Sequence, residues 1–247
     1  MSLGRRLSLS IAALACWVSP GLAEPVVADL SKYVISIDSG FTGTDVLLYG
    51  AVEDEGDLVI VVRGPTERVV VRRKEQVAGI WMNRDTVEFE DVPAYYTVTS
   101  NRPLEDIAPL NFRALHQIGL DALRLTAVGD LSDDEVAPFR EALIRNRVRD
   151  GLYGVSVGTM KFLSNRLFSA PLHFPATVPE GSYRAEVFLI RDGAVISAEQ
   201  IPLSVNKSGF LWQVNYYAYA EPELYGLAAI LIALAAGWLA ATVFRRG

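Results

Sequence analysis

The chain has 247 residues, 51% of them hydrophobic, with 23 basic and 29 acidic side chains, a net charge of −6 and a single cysteine. An acidic balance of this kind argues against a nucleic-acid partner, and one cysteine excludes a disulfide framework or a cysteine-rich metal domain. The mean hydropathy of +0.23 is raised by two apolar ends and does not describe the segment between them.

The first end reads as a secretory signal peptide over 1–23. Arg5 and Arg6 precede a short apolar run from Leu7 to Val18, Pro20 breaks it, and Gly21 and Ala23 sit three and one before a cut at Glu24. A lipoprotein cut before Cys16 fits less well, because Leu14 stands one position off the usual pattern. Cys16 lies in the removed part, so the exported chain has no thiol and must be held by its core.

From 24 to 100 the chain reads as a β-sandwich region. Candidate strands are Tyr33–Ile37, Asp45–Val52, Leu58–Arg63, Arg68–Arg73, Val77–Met82, Thr86–Glu90 and Tyr95–Thr99, separated by turn signals such as Asp38-Ser39-Gly40 and Gly64-Pro65. Val87 and Phe89 alternate with Thr86, Glu88 and Glu90, as a half-buried strand demands. Strands at this spacing predict immunoglobulin-like architecture.

The period then changes, and 101–151 reads as a helical insertion. Pro109 and Gly119 confine an early helix over 110–117. Ser132-Asp133-Asp134-Glu135 predicts a capping box, followed by Val136, Phe139 and Leu143 at helical spacing and Gly151 as a stop. Pro138 is discordant and predicts a kink or a separate first turn.

Over 152–207, strand character returns at Leu152–Met160 and Leu167–Phe174, and Tyr183–Ile190 and Ala194–Val205 flank a turn at Arg191-Asp192-Gly193. A two-residue turn would set Glu186 opposite Glu199, so a three-residue loop is expected, pairing Phe188 with Ile196 and Glu186 with Ala198. These strands either complete the first sandwich or pack on it as a dependent domain.

The juxtamembrane segment 208–223 carries Trp212, Tyr216, Tyr217 and Tyr219, which with Tyr225 read as interfacial anchors. Leu224–Phe244 has no charge and predicts one membrane-spanning helix, about 31 Å at 1.5 Å per residue. The tail 245–247 carries Arg245 and Arg246, which predict a cytoplasmic C-terminus and an exported remainder. That remainder, 24–223, holds 19 basic and 29 acidic residues, a net charge of −10, which argues against peripheral docking on anionic lipid. Within the span, Ala229, Ala233, Gly237 and Ala241 place a small residue at every fourth position, a face on which another helix could approach closely.

No catalytic, cofactor or metal site is predicted. Gly154-Val155-Ser156-Val157-Gly158 matches the nucleophile-elbow pattern of serine hydrolases, but the flanking residues alternate as one strand and His173 follows too closely; Gly154 and Gly158 are expected to mark tight packing instead. His116 and His173 lie in no ligand-spaced motif, and Glu53-Asp54-Glu55-Gly56-Asp57 reads as a solvated turn.

The stretches FTGTDVLLYGAVEDEGDLVIVVRGP, GIWMNRDTVEFEDVPAYYTVTSNRPL and EPELYGLAAILIALAAGWLAATVFRRG resemble a family of alphaproteobacterial transmembrane proteins, Alph_Pro_TM, over nearly all of the mature chain. The resemblance implies a bacterial inner-membrane location and, through its association with permeases of the sulfite-exporter type, an accessory role beside a transporter. It brings no catalytic residues. The expected function is a non-enzymatic, membrane-anchored periplasmic interaction protein. The alternatives are a binding module for a small anion or peptide, using Arg63, Arg84 or Arg102, and a serine hydrolase at Ser156.

Overall fold

The computed structural model describes residues 26–77, 79–163, 166–208 and 222–244. Two sheets face each other across one core. The first has the order β1 (Val26–Leu30), β3 (Gly43–Val52), β11 (Leu167–Pro175), β10 (Lys161–Phe162), and the second β2 (Val34–Ile37), β13 (Ala194–Lys207), β12 (Gly181–Arg191), β4 (Asp57–Arg63), β7 (Tyr96–Ser100), β9 (Tyr153–Val157). A third sheet is a long hairpin, β5 (Thr66–Val77) and β6 (Ile80–Pro93), joined by the short β8 (Thr126–Ala127). The helices are α1 (Leu104–Ile107), α2 (Leu110–His116), α3 (Asp133–Arg149) and α4 (Pro222–Phe244).

The two β regions form one sandwich. β3 pairs with β11 from Gly43↔Pro175 to Ala51↔Leu167, and β4 pairs with β12 from Asp57↔Ile190 to Arg63↔Arg184, so early and late strands interleave in both sheets. The alternation of β11 explains its placement: Phe168, Ala170, Leu172 and Phe174 are buried while the residues between them face outward. β4 is different. Leu58 to Val62 are all buried, because one face meets the opposite sheet and the other lies under α2. Arg63 fastens that cover, donating from Nη2 to the carbonyls of His116 (2.8 Å) and Gln117 (3.0 Å), and the His116 ring lies 5.9 Å from that of Phe188. Phe174, Tyr95 and Tyr183 pack together with centroids 5.3 to 5.9 Å apart and tie the sheets at one end of the core.

Several expectations are corrected. The immunoglobulin-like sandwich with one transmembrane helix gives way to a mainly β chain with three sheets, and the six-stranded sheet is mixed, with β2 and β9 pairing parallel at its edges. Among the described residues no helix is long and apolar enough to cross a membrane, which overturns the span expected over 224–244. The strands expected at 68–73, 77–82 and 86–90 are two, not three, because the chain turns once, around Gly79.

The β12–β13 hairpin also departs from the expected register. Asp192 and Gly193 both have positive φ (52° and 73°), the mark of a two-residue type I′ turn. A bulge at Ile196 then shifts the pairing by one, so Glu186 faces Gln200 and Val187 faces Glu199. The charge conflict is relieved by the bulge, not by a longer loop. Gly154 and Gly158 are not tight contacts: a Cβ at Gly154 would sit 4.0 Å from Thr97, and Gly158 has open space and a φ of 71°.

Candidate interaction surface

No expected site residue joins another in a catalytic arrangement. Ser156 is exposed on the edge strand β9 opposite Thr99, and no helix follows it. His173 lies on the other sheet, its Nδ1 2.7 Å from Asp45 Oδ1. His116 packs at a tilt against Phe112 and Phe188. Among the described residues, no group of three or more His, Cys, Asp or Glu side chains could hold a metal ion.

The three arginines offered for an anion are already engaged. Arg63 pairs with Glu186 beneath α2, where burial lowers its pKa, and its guanidinium lies 5.8 Å from the Tyr96 ring. Arg84 pairs with Glu75 across the long hairpin. Arg102 grips Asp57, its Nε 2.7 Å from Oδ1, and this contact together with the Asn101 amide holds the Asp57 carboxyl below its ordinary value. An open cleft of about 610 Å³ beside that pair is lined by Glu55, Glu105, Asp106, Arg191 and Asp192, a mostly acidic mouth that disfavours an anion.

Ala229, Ala233, Gly237 and Ala241 fall along one side of α4 and are exposed, and a Cβ at Gly237 would meet nothing within 4 Å. Tyr225 is 45% exposed on the same helix. Trp212, Tyr216, Tyr217, Tyr219, Arg245 and Arg246 lie outside the described residues.

The surface that the sequence reading passed over is the outward face of the four-stranded sheet. Val27 is 53% exposed, Leu47 44%, Tyr49 44%, Leu163 64% and Leu167 50%. Val27, Tyr49, Ala51, Leu163 and Leu167 share the lining of a shallow apolar groove of about 380 Å³ that crosses β1, β3 and β11. Register explains the cluster, since Ala51 lies opposite both Val27 and Leu167. One polar side chain, Asp29, opposite Tyr49, shares the lining. Tyr33 Oη donates to that carboxyl and holds it below its ordinary value, and the Asp45–His173 pair lies farther along the same face. A solvent-facing sheet ordinarily alternates apolar inward with polar outward. In β3 both parities are apolar: Val46 and Leu48 face the core, Leu47 and Tyr49 face out. That doubled run, VLLY, was the available signal.

A comparison with curated proteins finds no match. The family model described as "Putative transmembrane protein (Alph_Pro_TM)" matches residues 25–246, nearly the whole chain, and the protein belongs to that family.

Proposed function

We propose that the protein is a non-enzymatic accessory protein, exported to the periplasmic side of the bacterial inner membrane, whose sandwich holds an integral-membrane permease through the outward face of the four-stranded sheet. The observation that carries this reading is the apolar groove over Val27, Tyr49, Leu163 and Leu167. Contiguous apolar surface is costly to leave in water and characteristic of a protein contact. Export is supported by the Arg5-Arg6 and Leu7–Val18 pattern at the N-terminus, and a membrane setting by the family. A permease of the sulfite-exporter type is the first partner to test.

The test places a photo-crosslinking amino acid at Tyr49 and, as a control, at Glu141 on the exposed side of α3, in cells that express the chain at native levels. The expected result is an adduct with an integral-membrane transport protein from position 49 only, lost when Val27 and Leu167 are both changed to Asp. Adducts from position 141 alone, or none to a membrane protein from position 49, would reject the reading.

A further inference from the structure

The β5–β6 hairpin carries a second surface, independent of the sheet face. Both strands are long; the inner half packs on α3, β8 and the main core, whereas beyond the Arg73↔Asp85 pair the described side chains are exposed or half-buried, so the outer half of the hairpin stands clear of the sandwich. Its end is apolar: Ile80 is 67% exposed, Trp81 67% and Met82 54%. An indole and two large aliphatic side chains held in water at a turn have no role in the core.

Register sorts the charges behind that end. Trp81 pairs with Gln76 and Asn83 with Lys74, and β5 is regular through this stretch because the extra residue, Arg84, belongs to β6. Arg72, Lys74, Gln76 and Trp81 therefore share one face, with Lys74 about 7 Å and Arg72 about 13 Å behind the indole. Arg73 and Arg84 sit on exposed pairs with Asp85 and Glu75, while Arg72 and Lys74 have no carboxylate partner among the described residues. The outer hairpin thus carries Arg72, Arg73, Lys74 and Arg84 against Glu75 and Asp85, a net +2 on an exported segment of −10.

The root of the hairpin fixes where this end lies. Ala94 N–H donates to Pro65 O across the root, and Gly181, which starts β12, lies against Pro65 and pairs with Val205 near the end of β13. The hairpin therefore leaves the sandwich at the end where β13 finishes and the chain departs toward α4.

We infer that the hairpin end is a lipid-contacting finger: Trp81, Ile80 and Met82 enter the interfacial region of the bilayer, and Lys74 and Arg72 bind anionic headgroups. Trp is favoured at the level of the headgroups, and long basic side chains just behind it reach the phosphates. The outer half of the hairpin projects roughly 15 Å beyond the Arg73↔Asp85 pair, about two screening lengths of roughly 8 Å, which weakens repulsion from the acidic remainder at the finger's end.

The test uses the full chain with Trp17, Trp212 and Trp238 changed to Phe, so that emission reports Trp81 alone. It is reconstituted into phosphatidylcholine vesicles with and without phosphatidylglycerol, with bromine-labelled acyl chains as a depth quencher. The expected result is a blue-shifted emission, quenched by the bromines and protected from iodide, with stronger protection when phosphatidylglycerol is present. Arg72→Glu with Lys74→Glu should abolish that lipid dependence, and circular dichroism shows whether each variant remains folded. Emission from Trp81 that stays fully open to iodide and insensitive to the bromines would overturn the inference. So would protection that appears only in native membranes and not in pure lipid, since the finger would then dock on a protein.

Discussion

At the scale of single residues, the fold depends on places where backbone and side chain leave no room or no alternative partner. Gly50 is the sharpest case. A Cβ there would stand 2.4 Å from Val27 O and 2.7 Å from the Phe168 ring, with a strand pinning each neighbour. Gly50→Ala must push β1 or β11 outward, and we predict a loss of about 1 to 3 kcal/mol in denaturant unfolding. Gly154→Ala is the control, since its Cβ would meet only Thr97, at 4.0 Å. Equal losses in the two variants would show that crowding against Val27 and Phe168 does not set the cost. Tyr96 illustrates the second kind of dependence. Its buried hydroxyl donates to Gln117 O (2.6 Å) and accepts from Gly119 N–H (2.9 Å), joining β7 to the loop after α2. Tyr96→Phe leaves both backbone groups without that partner and should cost about 1 to 3 kcal/mol. Burial also raises the Tyr96 pKa from 10.0 to about 12, so the folded state holds the proton more tightly than the unfolded chain. That contribution is complete below pH 10 and disappears as the pH rises through 12. Urea unfolding in alkali should therefore fall less steeply with pH in the Phe variant, and an unchanged slope would contradict the assignment. None of these bonds was legible in the sequence, because each joins residues whose proximity only the tertiary fold creates.

Individual elements were legible where the determinant is local. The start of α3 is one: the Glu135 carboxylate accepts from Ser132 N–H at 2.9 Å and lies 2.7 Å from its Oγ, and the helix continues from Asp133 past Pro138 to Arg149. The separate first turn that Pro138 suggested does not form, because Val136, Phe139 and Leu143, all buried on one side, hold the turns before and after it on one helix. The Ser132 hydroxyl, then its backbone N–H, hold the Glu135 pKa below its ordinary 4.5. The folded state thus favours the carboxylate, and the stability this adds is full above pH 4.5 and is lost as the pH falls through the depressed value. We predict that Glu135→Gln is destabilising at pH 7 and that the difference from wild type shrinks toward zero in acid. A difference that does not change with pH would mean that charge at this cap is irrelevant. The β12–β13 hairpin shows the opposite limit. Both the turn residues and the Glu186/Glu199 conflict could be read from the sequence, but not the remedy. A bulge at Ile196 and a longer loop relieve the same repulsion, and only the contacts of the finished sheet select between them.

For the molecule as a whole, the sequence conveyed a β-rich chain interrupted by helices, and strand pairing unites its two β regions. What it could not convey was which apolar residues are core and which are surface. Leu48 and Leu47 are neighbours of one type, yet one is fully buried and the other is 44% exposed, a distinction made only when β1 and β11 flank β3. The same ambiguity affects the long hairpin, whose inner and outer halves have different standing. Val71, Val87 and Phe89 belong to the inner half and pack with the main core, and the Arg73 guanidinium lies 4.8 Å from the Phe139 ring on α3. Beyond Arg73 and Asp85 the described side chains are exposed or half-buried, and the salt bridge there, Arg84 to Glu75, joins exposed groups of the kind that adds little stability. The outer half should therefore be removable. We predict that replacing residues 74–84 by Asn-Gly, a turn suited to the Arg73↔Asp85 pair, leaves a cooperatively folding domain. Its cost should be under about 1 kcal/mol, a shift of no more than roughly 4 °C in the unfolding midpoint. A larger drop, or the loss of cooperative unfolding, would mean that the finger supports the sandwich. An intact domain would mean that the residues from Lys74 to Arg84 are kept for a contact outside this fold.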